Sequence, residues 1–148
     1  MRWLLDTNVI SEGIRPQPDR AVVGWLAARS PELLAVSMVT LAELHHGTAV
    51  LSNEKERLRL TRWIETEITE FFQGRVLPLT LEILIDWLTL SRRLERLGRP
   101  RSAPDLLIAA TARVHEMIVV SRNTRDFADT GVVLFDPWTG QTHRMESS

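Results

Sequence analysis

RWLLDTN (residues 2–8) runs three apolar residues straight into an acid, a hydroxyl and an amide. A short apolar run stopped by Asp-Thr-Asn predicts a buried strand, WLL (3–5), meeting a turn, because Asp and Asn favour turns and helix caps. The same arrangement would hold Asp6 rigidly at the end of a buried strand, where a carboxylate can do chemistry. The stretch alone leaves both readings open.

Three further apolar runs match WLL: LLAV (33–36), MIVV (117–120) and VVLF (132–135). None alternates apolar with polar, so each predicts a strand buried on both faces, as in a parallel sheet covered by helices. VLPL (76–79) is a fifth strand candidate, confined to an edge by Pro78. Helical patterns lie between the runs, at 19–29, 39–51, 53–72, 81–97 and 103–116. In 81–97, Leu84, Leu88, Ser91 and Leu94 make the predicted apolar face. Segment 103–116 is apolar nearly all round, which predicts deep burial. Alternation of strand and helix gives the α/β class, with a central, mostly parallel sheet of four to five strands flanked by helices in three layers. Such sheets bind ligands beyond the carboxyl ends of their strands.

Composition narrows the function. The 148 residues predict one domain, 1–148, with 44% apolar and 25% charged residues as in ordinary globular proteins. No apolar run approaches the roughly 18 residues of a membrane span, and MRWLLD is too short for a signal-peptide core. Cysteine is absent, which excludes thiolate metal sites and fits a reducing cytoplasm. The net charge is −1, yet 17 of the 18 basic residues are Arg. Arg92, Arg93, Arg96, Arg99, Arg122 and Arg125 fall in an Arg-rich zone between residues 91 and 125. Arg grips phosphate in two places, so these six are candidates for holding a phosphate-bearing partner; a solvated helix face is the alternative.

Four acids stand at positions that favour a site. Asp6 and Asp126 follow predicted strands, and Glu43 and Asp105 lie near predicted helix starts. TLAE (40–43) matches a capping box, but Ser37 is the better cap, which puts Glu43 past the first turn. Gly47, one turn on, would leave room for a ligand. SAPD (102–105) also fits a capping box, with Asp105 in the first turn. SRNTRDF (121–127) reads either as a site bearing Ser121, Asn123 and Asp126, or as a polar turn that buries Phe127. Carboxylates brought within about 4 Å of one another repel by about 4 kcal/mol per pair at an effective dielectric near 20. A divalent cation relieves that, and all-oxygen donors select Mg²⁺ or Mn²⁺ over zinc. ELHHG (43–47) has no zinc spacing, no serine has a recognisable His–Asp pair, and no Gly-rich nucleotide loop is present.

LLDTNVIS, VTLAELHHG, APDLLIAATA and VVSRNTRDF together resemble the four motifs of PIN-domain ribonucleases, nearest the toxin branch of VapC and FitB type. FDPW (135–138) is similar to that branch's tail motif. The resemblance implies a PIN-like sandwich and a Mg²⁺- or Mn²⁺-dependent endoribonuclease. It also implies a homodimer, alone or in a larger assembly with a small cognate antitoxin. It implies the acidic quartet Asp6, Glu43, Asp105 and Asp126, with Thr7 and Ser121 as polar supports. Many relatives carry an acid where this chain has Asn123, so Asn123 and Asp126 compete for the fourth position. Two other readings are weaker. A haloacid-dehalogenase-type phosphatase wants a second Asp where Asn8 stands. A PIN-like module that only binds protein is the non-enzymatic alternative.

Overall fold

β1 (Trp3–Leu5) runs directly into α1 (Thr7–Glu12), so Asp6 is the single residue that joins strand to helix. The computed structural model describes residues 1–146. After α1 come α2 (Arg20–Ala27), β2 (Leu34–Ser37), α3 (Met38–Ala49) and α4 (Glu54–Trp63). A π turn (Ile64–Ile68), α5 (Thr69–Phe71), β3 (Val76–Leu77), α6 (Leu81–Arg96) and α7 (Ala103–His115) follow. The chain closes with β4 (Ile118–Val120), a 3-10 turn (Thr124–Phe127), β5 (Val133–Asp136) and β6 (Gln141–Arg144).

The strands form one six-stranded sheet in the order β3-β2-β1-β4-β5-β6. Every pairing is parallel except the β5–β6 hairpin. Leu4 pairs with Ala35 on one side and Val119 on the other, so β1 is central. Successive residues point to opposite faces. Leu4, Ala35, Val119 and Leu134 enter a core with Leu90, Leu94, Leu106, Ile108 and Phe127, beneath α6 and α7. Leu5, Leu34, Val36 and Val120 enter a second core with Val9, Val22, Ile64 and Phe72, beneath α1, α2 and the α4–α5 segment. A sheet buried on both faces explains why its inner strands read as unbroken apolar runs.

Three details depart from the sequence expectation. The sheet has six strands rather than four or five, because β6 (QTHR) is a largely exposed edge strand with no apolar run. The turn expected after WLL is the start of α1, a helix that at six residues is too short to show a helical period. On α6 the buried line is Ile83, Leu90 and Leu94 with Trp87 half-buried, whereas Leu88 is 55% exposed. Leu94 is buried as expected and Leu84 and Ser91 are half-buried, so the buried face departs from the predicted one chiefly at Leu88; Leu90 and Leu94 share a core with Leu106, Ile108 and Ala109 of α7. The edge strand β3 lies where Pro78 allows it. Arg75, beside it, donates to the Leu34 carbonyl at 2.6 Å and to the Pro31 and Phe71 carbonyls, tying that edge to β2.

Phe127 is fully buried and anchors the turn that carries Asp126. Phe127→Ala is expected to lower the unfolding free energy by about 3–5 kcal/mol. Urea denaturation checks this, and a loss under roughly 1 kcal/mol would contradict the packing described.

Candidate active site

From β1 the chain builds outward to β2 and β3 on one side, and later to β4, β5 and β6 on the other. Such a reversal of strand order opens a crevice at the carboxyl ends of the two central strands. Here those ends carry Asp6 and Ser121.

Asp6 is 4% exposed, and its own N–H donates to the Val120 carbonyl at 2.9 Å. Its Oδ1 accepts the Thr7 N–H at 2.8 Å, the cap of α1. Its Oδ2 accepts the Ser121 hydroxyl at 2.7 Å and the Asn8 amide at 3.3 Å. Ser121 Oγ in turn accepts from Asn8 Nδ2 at 3.1 Å and from the Asn123 N–H at 3.0 Å. Its one donor and both acceptor positions are therefore used. The Asp6 carboxylate caps α1, as the turn reading expects, and is held rigidly at the buried strand end.

Glu43 reaches this group across the crevice, its Oε1 accepting the Thr7 hydroxyl at 2.8 Å. Ser37 caps α3 through the Val39 N–H at 3.1 Å, which leaves Glu43 free of capping, as its position past the first turn requires. A Cβ added at Gly47 would meet nothing within 4 Å, so open space lies beside that glycine, which lines a cavity together with Thr7 and Glu43. Asp105, half-buried, accepts the Ser102 hydroxyl at 2.6 Å, while Ser102 Oγ takes the Asp105 N–H at 3.3 Å. The capping box expected at SAPD is therefore present, with Asp105 in the first turn of α7. Asp126 stands on the 3-10 turn, its N–H on the Asn123 carbonyl at 3.2 Å. The Asn123 side chain is exposed and bonds no described residue.

The charges register one another. Burial raises the Asp6 pKa to about 6, with the Asp105 and Glu43 carboxylates adding to the rise and the Ser121 and Thr7 hydrogen bonds opposing it. Asp105 is also raised, first by burial and then by the Asp126 carboxylate, against the pull of the Ser102 hydroxyl and Arg101. Asp6 thus feels Glu43 and Asp105, and Asp105 feels Asp126. The quartet is not the tight cluster expected from sequence: among the described residues no three His, Asp or Glu side chains form a ready cage for an ion. Glu43 and Asp105 are each held by their own hydroxyl partner, Thr7 and Ser102, rather than aimed at one point. Among the described residues, none of the four acids has an ion-pair partner. A buried, unpaired carboxylate costs stability unless a cation offsets it, and all-oxygen donors suit a hard divalent ion. The residues therefore fit such an ion in donor chemistry.

The six candidate arginines separate. Arg93 donates to the Asp129 carbonyl at 2.7 Å and Arg99 to the Asp129 carboxylate at 3.2 Å, so both brace a loop. Arg92, Arg96 and Arg125 are exposed without a partner among the described residues. The backbone N–H of Arg122 donates to Asn8 Oδ1 at 3.3 Å, which joins it to the Asp6 group. Asn8 and Ser102 were not picked out from sequence as site residues. The signal for Asn8 was its position two residues past Asp6, and for Ser102 its place as the cap before Asp105.

The sequence matches the PIN domain family over residues 3–133. The chain belongs to the PIN-domain family. This PIN domain is 39% identical over 135 residues to "Toxin FitB" of Neisseria gonorrhoeae, covering 91% of the chain and 97% of that relative. It is 37% identical over 135 residues to "VapC ribonuclease Y4jK" of Sinorhizobium fredii, covering 91% and 96%. The fold agrees with the crystal structure of FitAcB from Neisseria gonorrhoeae at a TM-score of 0.86 and 39% identity, covering 92% of the chain and 98% of that one.

Carboxyl-carbon NMR should show Asp6 titrating near pH 6 in chelator-treated protein, well above its ordinary 3.8. The folded state then holds the proton more tightly than the unfolded state. Stability is therefore expected to rise as pH falls from 7.5 to 5.5, within a limit of about 3 kcal/mol for the whole shift. An Asp6 midpoint near 4, or stability falling over that window, would contradict the burial described.

Proposed function

We propose that this PIN domain is an endoribonuclease toxin that hydrolyses RNA phosphodiester bonds with Mg²⁺ or Mn²⁺ and is held in check by a small cognate antitoxin. The observation that carries the reading is Asp6: buried at a strand end, raised in pKa chiefly by that burial and further by the Asp105 and Glu43 carboxylates, and matched by no cationic side chain among the described residues. Relatives named as a toxin and as a ribonuclease support the same assignment.

A divalent cation, when bound, supplies charge for the scissile phosphate and lowers the pKa of a water. Asp6 and Asp105 are assigned as its direct ligands. Glu43, whose charge acts on Asp6, and Asp126, whose charge acts on Asp105, are assigned to hold and orient water. Ser121, Asn8 and the Thr7 N–H fix the Asp6 carboxylate, so it needs little rearrangement to act. The Thr7 hydroxyl does the same for Glu43, and Ser102 for Asp105. Arginines beside the acids hold the RNA backbone. The working unit is taken to be a homodimer, alone or within a larger assembly with the antitoxin. Leu81, Ile85 and Leu88, exposed along α6, give an apolar surface for association. Among the described residues no helix is long and apolar enough to cross a membrane; action on RNA assigns the protein to the cytoplasm.

Purified protein incubated with structured RNA and Mg²⁺ or Mn²⁺ should cleave it, and EDTA should stop cleavage. Asp6→Asn and Asp105→Asn should each lower the rate by about 100-fold or more. Cleavage that persists in EDTA or without Asp6 would overturn the reading. Full growth arrest by both variants would favour a binding module instead. Asn123→Asp should raise the rate if that position lacks its acid; an unchanged rate assigns the fourth position to Asp126.

A further inference from the structure

The β5–β6 turn carries an aromatic ring to the edge where Asp6 and Ser121 lie. Ser121 N–H donates to the Phe135 carbonyl at 3.0 Å, so the end of β5 sits beside the end of β4. The Asp136 carboxylate, 7% exposed, accepts the Trp138 N–H at 2.8 Å, and the Asp136 carbonyl accepts the Gly140 N–H at 2.8 Å. Gly140 has φ +78°, a backbone shape that side chains resist, so this turn is specified. It holds the Trp138 ring half-buried against the core under α1 and α2.

The Arg122 guanidinium lies over that ring, 5.1 Å from its centre. The Arg122 backbone is fixed as well, since its N–H donates to the Asn8 side chain that also bonds Asp6. A guanidinium held over a ring by its charge keeps N–H groups free to bind an anion. Among the described residues none of those donors is used. Arg93, Arg99 and Arg101 are instead committed to Asp129. Arg92, Arg96 and Arg125 have no such brace.

We propose that Arg122 is the clamp for an RNA phosphate beside the acidic edge, and that Trp138 is a positioning residue that holds its guanidinium there. The proposal rests on the nuclease reading and sharpens it. A phosphate approaching four carboxylates is repelled, and a cation at that point, pre-set by the ring, offsets the repulsion without first having to be ordered.

Binding of a fluorescein-labelled RNA hairpin, read by anisotropy in Mg²⁺, tests this in an Asp105→Asn background, in which cleavage should be about 100-fold or more slower. Arg122→Ala should weaken binding about five- to tenfold and reduce the salt slope by about one. Trp138→Leu should weaken it about three- to tenfold, and Trp138→Phe should restore most of the loss. In the double variant, Trp138→Leu should add nothing to Arg122→Ala, because the ring acts through the guanidinium. Arg99→Ala should bind as the parent does. Parental binding by Trp138→Leu, or equal losses in the presence and absence of Arg122, would overturn the proposal. Cleavage by the Asp105→Asn parent at the rate of the unaltered protein would count against the nuclease reading alone, since the cycle is read from binding. An unaltered protein that binds no RNA would overturn both.

Discussion

The Asp6 carboxylate accepts hydrogen bonds from Thr7, Asn8 and Ser121 and is otherwise closed off from water and from any cationic partner among the described residues. Removing a carboxylate from water disfavours its charged form, and the Asp105 and Glu43 carboxylates add to the penalty. The fold bears that cost because β1 is the central strand, wedged between β2 and β4 with helices on both faces. A strand held so firmly can fix a charged group at its end. The three hydrogen bonds set the direction of the carboxylate without neutralising it, so the group stays available to a cation.

Precision falls with distance from β1. Asp6 stands at a strand end, Glu43 and Asp105 on helices of twelve and thirteen residues. Asp126 rides on a single 3-10 turn held by Phe127. Each of the first three is oriented by a hydroxyl: Ser121, Thr7 and Ser102 respectively. No side-chain hydrogen bond among the described residues orients Asp126. A site built this way has a rigid half at β1 and a more adjustable half at the end of β4, where the fourth position is contested by Asn123. Elements with fewer tertiary anchors open more readily, so variation at that end should cost the fold least.

Much of this was legible in the sequence because burial leaves a strong mark on composition. WLL, LLAV, MIVV and VVLF had to be apolar throughout to lie between two layers of helices, and each proved a strand. Ser37 and Ser102 announced their helices by capping chemistry. What escaped had no such mark. β6 is polar because its edge is solvated, and α1 is too short to display a period. On α6 only Leu88 departs from the predicted face, because it is as apolar as the buried Leu90 and Leu94 and composition alone does not rank them. Asn8 carried a hint in its spacing from Asp6, but only the meeting of β1 and β4 shows its amide tying Asp6 to Ser121 and Arg122. Ring-on-guanidinium contacts such as Trp138 with Arg122 join residues from separate elements, and no local pattern reveals them.

The central claim is that the burial of Asp6 creates an unmet demand for a divalent cation. Calorimetric titration of the protein with Mn²⁺ near pH 6, repeated in buffers of different ionisation enthalpy, counts the protons released on binding. The account predicts saturable binding with fractional proton release near pH 6, vanishing by pH 8, and both binding and release sharply reduced in Asp6→Asn. Binding that is equally strong in Asp6→Asn, or that releases no proton near pH 6, would contradict it.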